Sequence, residues 1–98
     1  MMPANTLAIA EELSIYRAAE LAQTLCDWVQ STPAGQALHL DLSEVTEMDS
    51  AGLQLLLSLS RTAQAHALPL HITSASPAVQ EVLRLTALEP LLLPTLTL

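Results

Sequence analysis

The sequence contains no lysine and only three arginines, Arg17, Arg61 and Arg84, against ten acidic residues, which leaves a formal charge of −7. Gripping a nucleic-acid backbone takes a patch of Lys and Arg, and none can be assembled from so few. Anionic lipid surfaces are disfavoured for the same reason. Phenylalanine is absent and the aromatics are Tyr16 and Trp28 alone, so a core has to be built from Leu, Ala, Val, Ile and Met, a mixture that leans towards helix. Two glycines, Gly35 and Gly52, are too few for a glycine-rich phosphate cradle. The single cysteine, Cys26, excludes an intrachain disulfide. No apolar run approaches the length needed to cross a bilayer, and Met1–Thr6 has no positive charge leading into a hydrophobic segment. The expected location is cytoplasmic.

What is present is apolar: 51% of 98 residues, enough for one hydrophobic core and not for two. One domain over residues 1–98 is expected. Leu7, Ile9, Leu13 and Ile15 alternate with smaller or polar residues, as two short extended pieces interrupted at Glu11-Glu12. From Arg17 to Gln30 the period changes, and Leu21, Leu25, Trp28 and Val29 recur at three- and four-residue spacing, the mark of an amphipathic helix. Ser14 could cap it or end the preceding strand. Ser31-Thr32-Pro33-Ala34-Gly35 stops it. Leu38-His39-Leu40-Asp41-Leu42 alternates as a strand and Ser43–Met48 reads as a loop. Asp49-Ser50 opens a long helix to about His66, Leu68–Thr73 is another strand, and Pro77 starts a helix to about Leu85. The tail beyond Pro90 is apolar and broken by Pro94.

Strands separated by helices point to an α/β layer with parallel neighbours. Leu38, Leu40 and Leu42 face one way and His39 and Asp41 the other, so helices should cover mainly one face of the sheet.

Few residues offer chemistry. No Cys/His set has zinc spacing, and no metal or cofactor is expected. Cys26 falls beside Leu25 and Trp28 and is expected to be a buried structural thiol. His39 and His71 lie mid-strand on the non-core face. They read as partly exposed surface histidines, since a metal or pH-sensing pair would need further ligands that the sequence does not supply. His66 sits near a helix C-terminus, where the dipole explains it. Asp41, Glu44, Glu47 and Asp49 span a strand end and a loop. A solvated acidic loop accounts for them better than a carboxylate dyad or a calcium loop, whose pattern and glycine are missing.

The junction Val45–Leu53 is more informative. Asp49 suits the N-cap of the helix, with Ser50 in the first turn and its hydroxyl outward. A helix N-terminus with free N–H groups is a hospitable place for a phosphoryl group. Serine is also common there for capping reasons alone.

The run Leu40-Asp41-Leu42-Ser43-Glu44-Val45-Thr46-Glu47-Met48-Asp49-Ser50-Ala51-Gly52-Leu53 resembles the signature of STAS domains, the family of anti-sigma factor antagonists. A strand there ends in D-L-S, and D-[ST]-[STA]-G-L then opens a helix. The likeness extends through Leu70–Thr73 and Ser76-Pro77-Ala78-Val79 to Leu83 and Leu88, and back to Glu12-Leu13, covering about residues 7–90. It implies an α/β STAS-type fold, a mixed sheet of about four strands with helices mainly on one face. It also implies a non-catalytic switch phosphorylated at Ser50, the hydroxyl that follows Asp49, with Asp49 and Gly52 supporting the phosphosite. The second acceptor of many relatives is Ala51 here. The usual first strand has almost no residues upstream of Leu7, and Glu11 stands where a Gly is common.

At about 100° per residue, Ser50, Gln54, Leu57 and Arg61 share one line along the helix, with Gly52, Leu56, Leu59 and Ala63 opposite, towards the sheet. Gln54, Leu57 and Arg61, with Glu47 beside the phosphosite, are therefore the expected partner-binding residues, Leu57 as the anchor. The expected partner is a serine kinase/anti-sigma-type regulatory protein, bound when Ser50 is unphosphorylated. The alternative is the ATPase subunit of an ABC-type lipid transporter, braced by a STAS accessory subunit. A nucleotide-binding module is the third reading, disfavoured by the charge and the missing glycine-rich loop.

Overall fold

The computed structural model describes residues 5–85; the Pro-broken tail and the Leu88 position lie outside them. Six elements alternate: β1 (Thr6–Leu13), α1 (Ala18–Ser31), β2 (Leu38–Met48), α2 (Ser50–Ala65), β3 (Leu70–Ala75) and α3 (Pro77–Leu85). The strands form one sheet in the order β1-β2-β3, parallel throughout, each parallel step bridged by a helix as such pairing requires. Against the expected mixed sheet of about four strands, the described residues form three strands, all parallel.

The core is a single cluster. Leu38, Leu40 and Leu42 are wholly buried on one face of β2, with Ile72 on β3, Leu13 at the end of β1, and Leu56, Leu59, Val79 and Leu83 from the helices. His39, Asp41, His71 and Thr73 stay half-exposed on the other face. The α/β architecture with helices mainly on one face follows from that alternation.

β2 is longer than its apolar alternation suggests. Residues 43–48, read as a loop, pair with β1 through Ala10↔Glu44, Glu11↔Val45, Glu12↔Glu47 and Leu13↔Met48. Register shifts between Ala8 and Ala10 and between Glu11 and Glu12 move the buried position from the even residues to Val45, which breaks the period that would have revealed the strand. β1 is likewise one strand, not two pieces. Glu11 crosses the left-handed region at φ 68°. The carbonyls around it are satisfied by side chains: Arg17 Nη1 donates to Ala10 O at 2.7 Å and Glu12 O at 3.2 Å, and Thr46 Oγ1 donates to Glu11 O at 3.3 Å. Leu68 and Pro69 precede β3, which runs two residues further than expected, to Ala75.

Ser14 does not cap α1. It is buried and its Oγ has no hydrogen-bond partner, while Arg17 holds the cap position without a side-chain bond. The far end of α1 is closed by Thr32, whose Oγ1 donates to Trp28 O at 2.7 Å. Asn5 clasps this corner: its Nδ2 donates to Thr32 Oγ1 and Ala37 O, its Oδ1 accepts from Trp28 Nε1 at 2.8 Å, and its carbonyl accepts from His39 N. A left-handed φ of 60°, which asparagine tolerates, aims the side chain into this gap.

Candidate functional site

The β2–α2 junction is built around Asp49. Met48 ends β2 beside Leu13, and Asp49 then adopts extended backbone at the N-cap of α2. One carboxylate oxygen accepts from Gly52 N at 3.1 Å, closing the first helical turn; the other accepts from Ile15 N at 3.0 Å, tying the β1–α1 turn to the same point. These two N–H groups, Ile15 first, hold the carboxyl below the usual aspartate range. Such a carboxylate is a weak base and has both oxygens engaged, so it serves as a bracket and not as a proton acceptor for Ser50.

Gly52 is required by the close approach of α2 to β1. A Cβ there would overlap the carbonyl oxygen of Leu13 and lie 2.8 Å from its carbonyl carbon. The same carbonyl accepts from Asp49 N at 3.3 Å. Asp49 and Gly52 therefore fix where α2 begins, and that presents Ser50 exposed on the first turn.

Along the helix, Gln54 and Arg61 are exposed, while Gly52, Leu56, Leu59 and Ala63 are buried. Leu57 departs from its expected place. It is half-buried and packs against the edge of the core, so its contact with solvent is partial. Glu47 is exposed at the end of β2, laterally paired with Glu12.

The open apolar surface lies on the other flank of Ser50. Between α1 and α2 runs a groove walled by Ala18 and Ala22 on one side and Gln54, Leu55 and Ser58 on the other, and it continues to Cys26 and Thr62. Ile15 lines its open end and is 62% exposed, and Tyr16, next in the chain, is 86% exposed. The sequence signal was available: Ala18, Ala22 and Cys26 recur every fourth residue beside the buried stripe of α1. The alternation Leu13, Ile15 reads as strand, whereas Ile15 lies in the turn before α1 and bonds to Asp49. Cys26 is exposed on this side, not buried as expected, because the buried stripe is Leu21, Leu25, Trp28 and Val29. Gln30 Nε2 donates to its Sγ at 3.4 Å.

His39 and His71 are lateral partners on β2 and β3 with stacked rings, away from this site. His66 ends α2, its Nδ1 2.9 Å from Thr62 O. Among the described residues no three His, Cys, Asp or Glu side chains gather as a metal set, and no helix is long and apolar enough to cross a membrane.

A family model described as the Mlab STAS domain matches residues 3–94 of this chain. The chain belongs to the STAS family. Among solved structures, it is similar to the anti-sigma factor antagonist SpoIIAA in its unphosphorylated form, with a TM-score of 0.70 and 19% identity over 98% of this chain and 81% of that one. It is also similar to the STAS domain of a SulP transporter from Vibrio cholerae, with a TM-score of 0.59 and 21% identity over 98% of this chain and 75% of that one. At these identities the likeness establishes the STAS fold. The Asp49–Gly52 junction is where this chain's own geometry adds to it.

Proposed function

We propose that this STAS domain is a non-catalytic regulatory protein that docks a serine kinase/anti-sigma-type partner when Ser50 is unphosphorylated and releases it when Ser50 is phosphorylated. The observation that carries the reading is the setting of Ser50. Its hydroxyl is exposed on the first turn of α2 and the backbone beneath it is pinned by Asp49. An apolar groove lined by Ile15 opens alongside, with Tyr16 exposed next to it in the chain. A partner lying across this end of the two helices would cover both the groove and the hydroxyl. Phosphorylation adds about −1.5 to −2 charge at neutral pH. At a helix N-terminus that charge is tolerated within the fold, but Asp49 and Glu47 already stand nearby, and a buried interface tuned to a neutral hydroxyl meets repulsion and desolvation. The partner-binding residues on this reading are Glu47, Gln54, Leu57 and Arg61, with the groove as the added apolar contact. A cytoplasmic location suits such a partner.

A second reading, an accessory subunit bracing the ATPase of an ABC-type lipid transporter, draws on the family model itself, which carries the Mlab name and not that of the anti-sigma factor antagonists. The same surface would then be the contact, with Ser50 as an interface residue and not a switch. Mass spectrometry of what co-purifies with the tagged chain separates kinase from ATPase. Binding isotherms of Ser50→Asp against the captured partner test the switch: at least about a tenfold loss, 1.4 kcal/mol, with the melting temperature held within a few degrees. Unchanged affinity for both Ser50→Asp and the phosphorylated chain rules the switch out.

A further inference from the structure

The geometry points to a two-imidazole site for a divalent transition metal, formed by His39 and His71 on the sheet face that the helices leave open. The two residues are lateral partners in the parallel register of β2 and β3. Their rings stack with centroids 5.4 Å apart and planes inclined by 22°, so both present ring nitrogens from the same side of the sheet. Imidazole is a borderline donor that suits Zn²⁺, Ni²⁺ and Cu²⁺. Metal–nitrogen bonds of about 2.0–2.1 Å place two nitrogens on one ion about 3–4 Å apart. Bringing the ring edges that close asks for a tilt about χ2, which is a broad, soft torsion in histidine.

One atom marks this pair off from ordinary surface histidines. The Nδ1 of His39 is buried and has no hydrogen-bond partner. In the neutral tautomer with its proton on Nε2, the ring carries an uncompensated lone pair on this buried Nδ1. With the rings tilted so that their edges converge, a cation lying in the planes of both imidazoles, on Nδ1 of His39 and a nitrogen of the half-exposed His71, supplies the missing partner. The flanking positions of this face on β1 are the small residues Thr6, in register with His39, and Ala8, in register with Asp41. Asp41 itself is engaged, its Oδ1 accepting from Ser43 N at 2.9 Å. Since no third protein ligand joins the pair among the described residues, water completes the coordination.

The test uses the full chain with Cys26→Ser, which removes the exposed thiol as a competing ligand. Cu²⁺ is the probe, as the tightest-binding ion of the series. One equivalent should bind and raise the melting temperature. The electron paramagnetic resonance spectrum of the bound ion should show coupling to two imidazole nitrogens. His71→Gln and His39→Gln should each weaken binding at least tenfold and abolish the two-nitrogen signature, while His66→Gln, at the far end of α2, leaves both unchanged. If His39→Gln does not fold in the absence of copper, His71→Gln alone decides. Equal binding by parent and His71→Gln, a spectrum without two-nitrogen coupling, or no saturable binding at tens of micromolar copper overturns the site.

Discussion

Gly52→Ala probes how closely α2 approaches β1. Two effects oppose each other. Alanine is favoured over glycine in a helix interior by about 0.8–1.0 kcal/mol, so on propensity alone the change stabilises. Against it, the new methyl overlaps the Leu13 carbonyl oxygen and sits 2.8 Å from its carbon and 2.9 Å from Leu13 Cγ. The side chain can rotate away. The carbonyl cannot, because Leu13 is wholly buried, paired with Met48, and accepts from Asp49 N. Either β1 or the start of α2 has to shift. Overpacking of this kind costs about 1–3 kcal/mol and occasionally more, and a weakened Asp49–Leu13 hydrogen bond adds about 0.5–1.5 kcal/mol. The clash therefore wins, with a net loss of about 1–3 kcal/mol. At about 4–8 °C per kcal/mol for a domain of this size, the melting temperature falls by roughly 5–20 °C. Gly35→Ala is the matched control: its φ is 83° and an added Cβ meets nothing within 4 Å, so it pays only the left-handed backbone, about 1–2 kcal/mol. A Gly52→Ala protein that melts at or above wild type, beside a Gly35→Ala protein that melts lower, would refute the close approach and the placement of Ser50 that depends on it.

The remaining perturbations read other parts of the same framework. Leu56→Ala empties a wholly buried site and should cost about 2–5 kcal/mol in urea unfolding, whereas Leu57→Ala, half-exposed at the core edge, should cost distinctly less; the reverse order would mean that the phase of α2 is wrong. Asn5→Ala removes three side-chain hydrogen bonds and leaves Trp28 Nε1 unpartnered near the core, so a loss of about 1–3 kcal/mol is expected, with a change in tryptophan fluorescence that a surface site would not give. Asp49→Asn removes a carboxylate whose ionised form is favoured by folding. Its contribution is full above the usual aspartate range and fades as pH falls through the lowered native value. The stability gap between wild type and Asp49→Asn should thus be widest at neutral pH and close in acid, and a gap that widens below pH 4 would contradict the bracket.

Much of the fold was legible wherever one period ran unbroken. The alternation of Leu38, Leu40 and Leu42 located the middle of β2 and its buried face. Pro77 marked the start of α3, and Asp49-Ser50 marked the start of α2. Legibility failed where two periods met. Past Leu42 the register shift against β1 moves the buried side to Val45, so residues 43–48 mimic a polar loop while pairing as a strand. Glu11 broke the reading of β1, because nothing local announces that Arg17 and Thr46 satisfy the carbonyls around it. Cys26 was misplaced by one step of helical phase, about 100°, which separates the floor of the core from the wall of the groove.

The half of the candidate site that sequence could reach is the half made of contiguous residues. Asp49, Ser50 and Gly52 lie within one turn, and capping chemistry alone arranges them. The groove is different in kind. Its walls come from Ala18, Ala22 and Cys26 on one helix and Leu55, Ser58 and Thr62 on another, and neither set is apolar enough to stand out in its own window. These residues become a groove only when α1 and α2 pack side by side, and at its open end Asp49, the N-cap of α2, accepts from Ile15 N in the turn before α1. The carboxylate that fixes the exposed serine also fixes the turn carrying Ile15 and Tyr16. Ser50 and the mouth of the groove are therefore held in one rigid relation, so that a partner reading the apolar mouth is obliged to meet the hydroxyl as well. Loss of the bracket in Asp49→Asn should for that reason weaken partner binding even at a temperature where the domain remains folded. If affinity survives while the Ile15 amide loses its protection from hydrogen exchange, the partner reads the two features separately and the groove is not part of the contact.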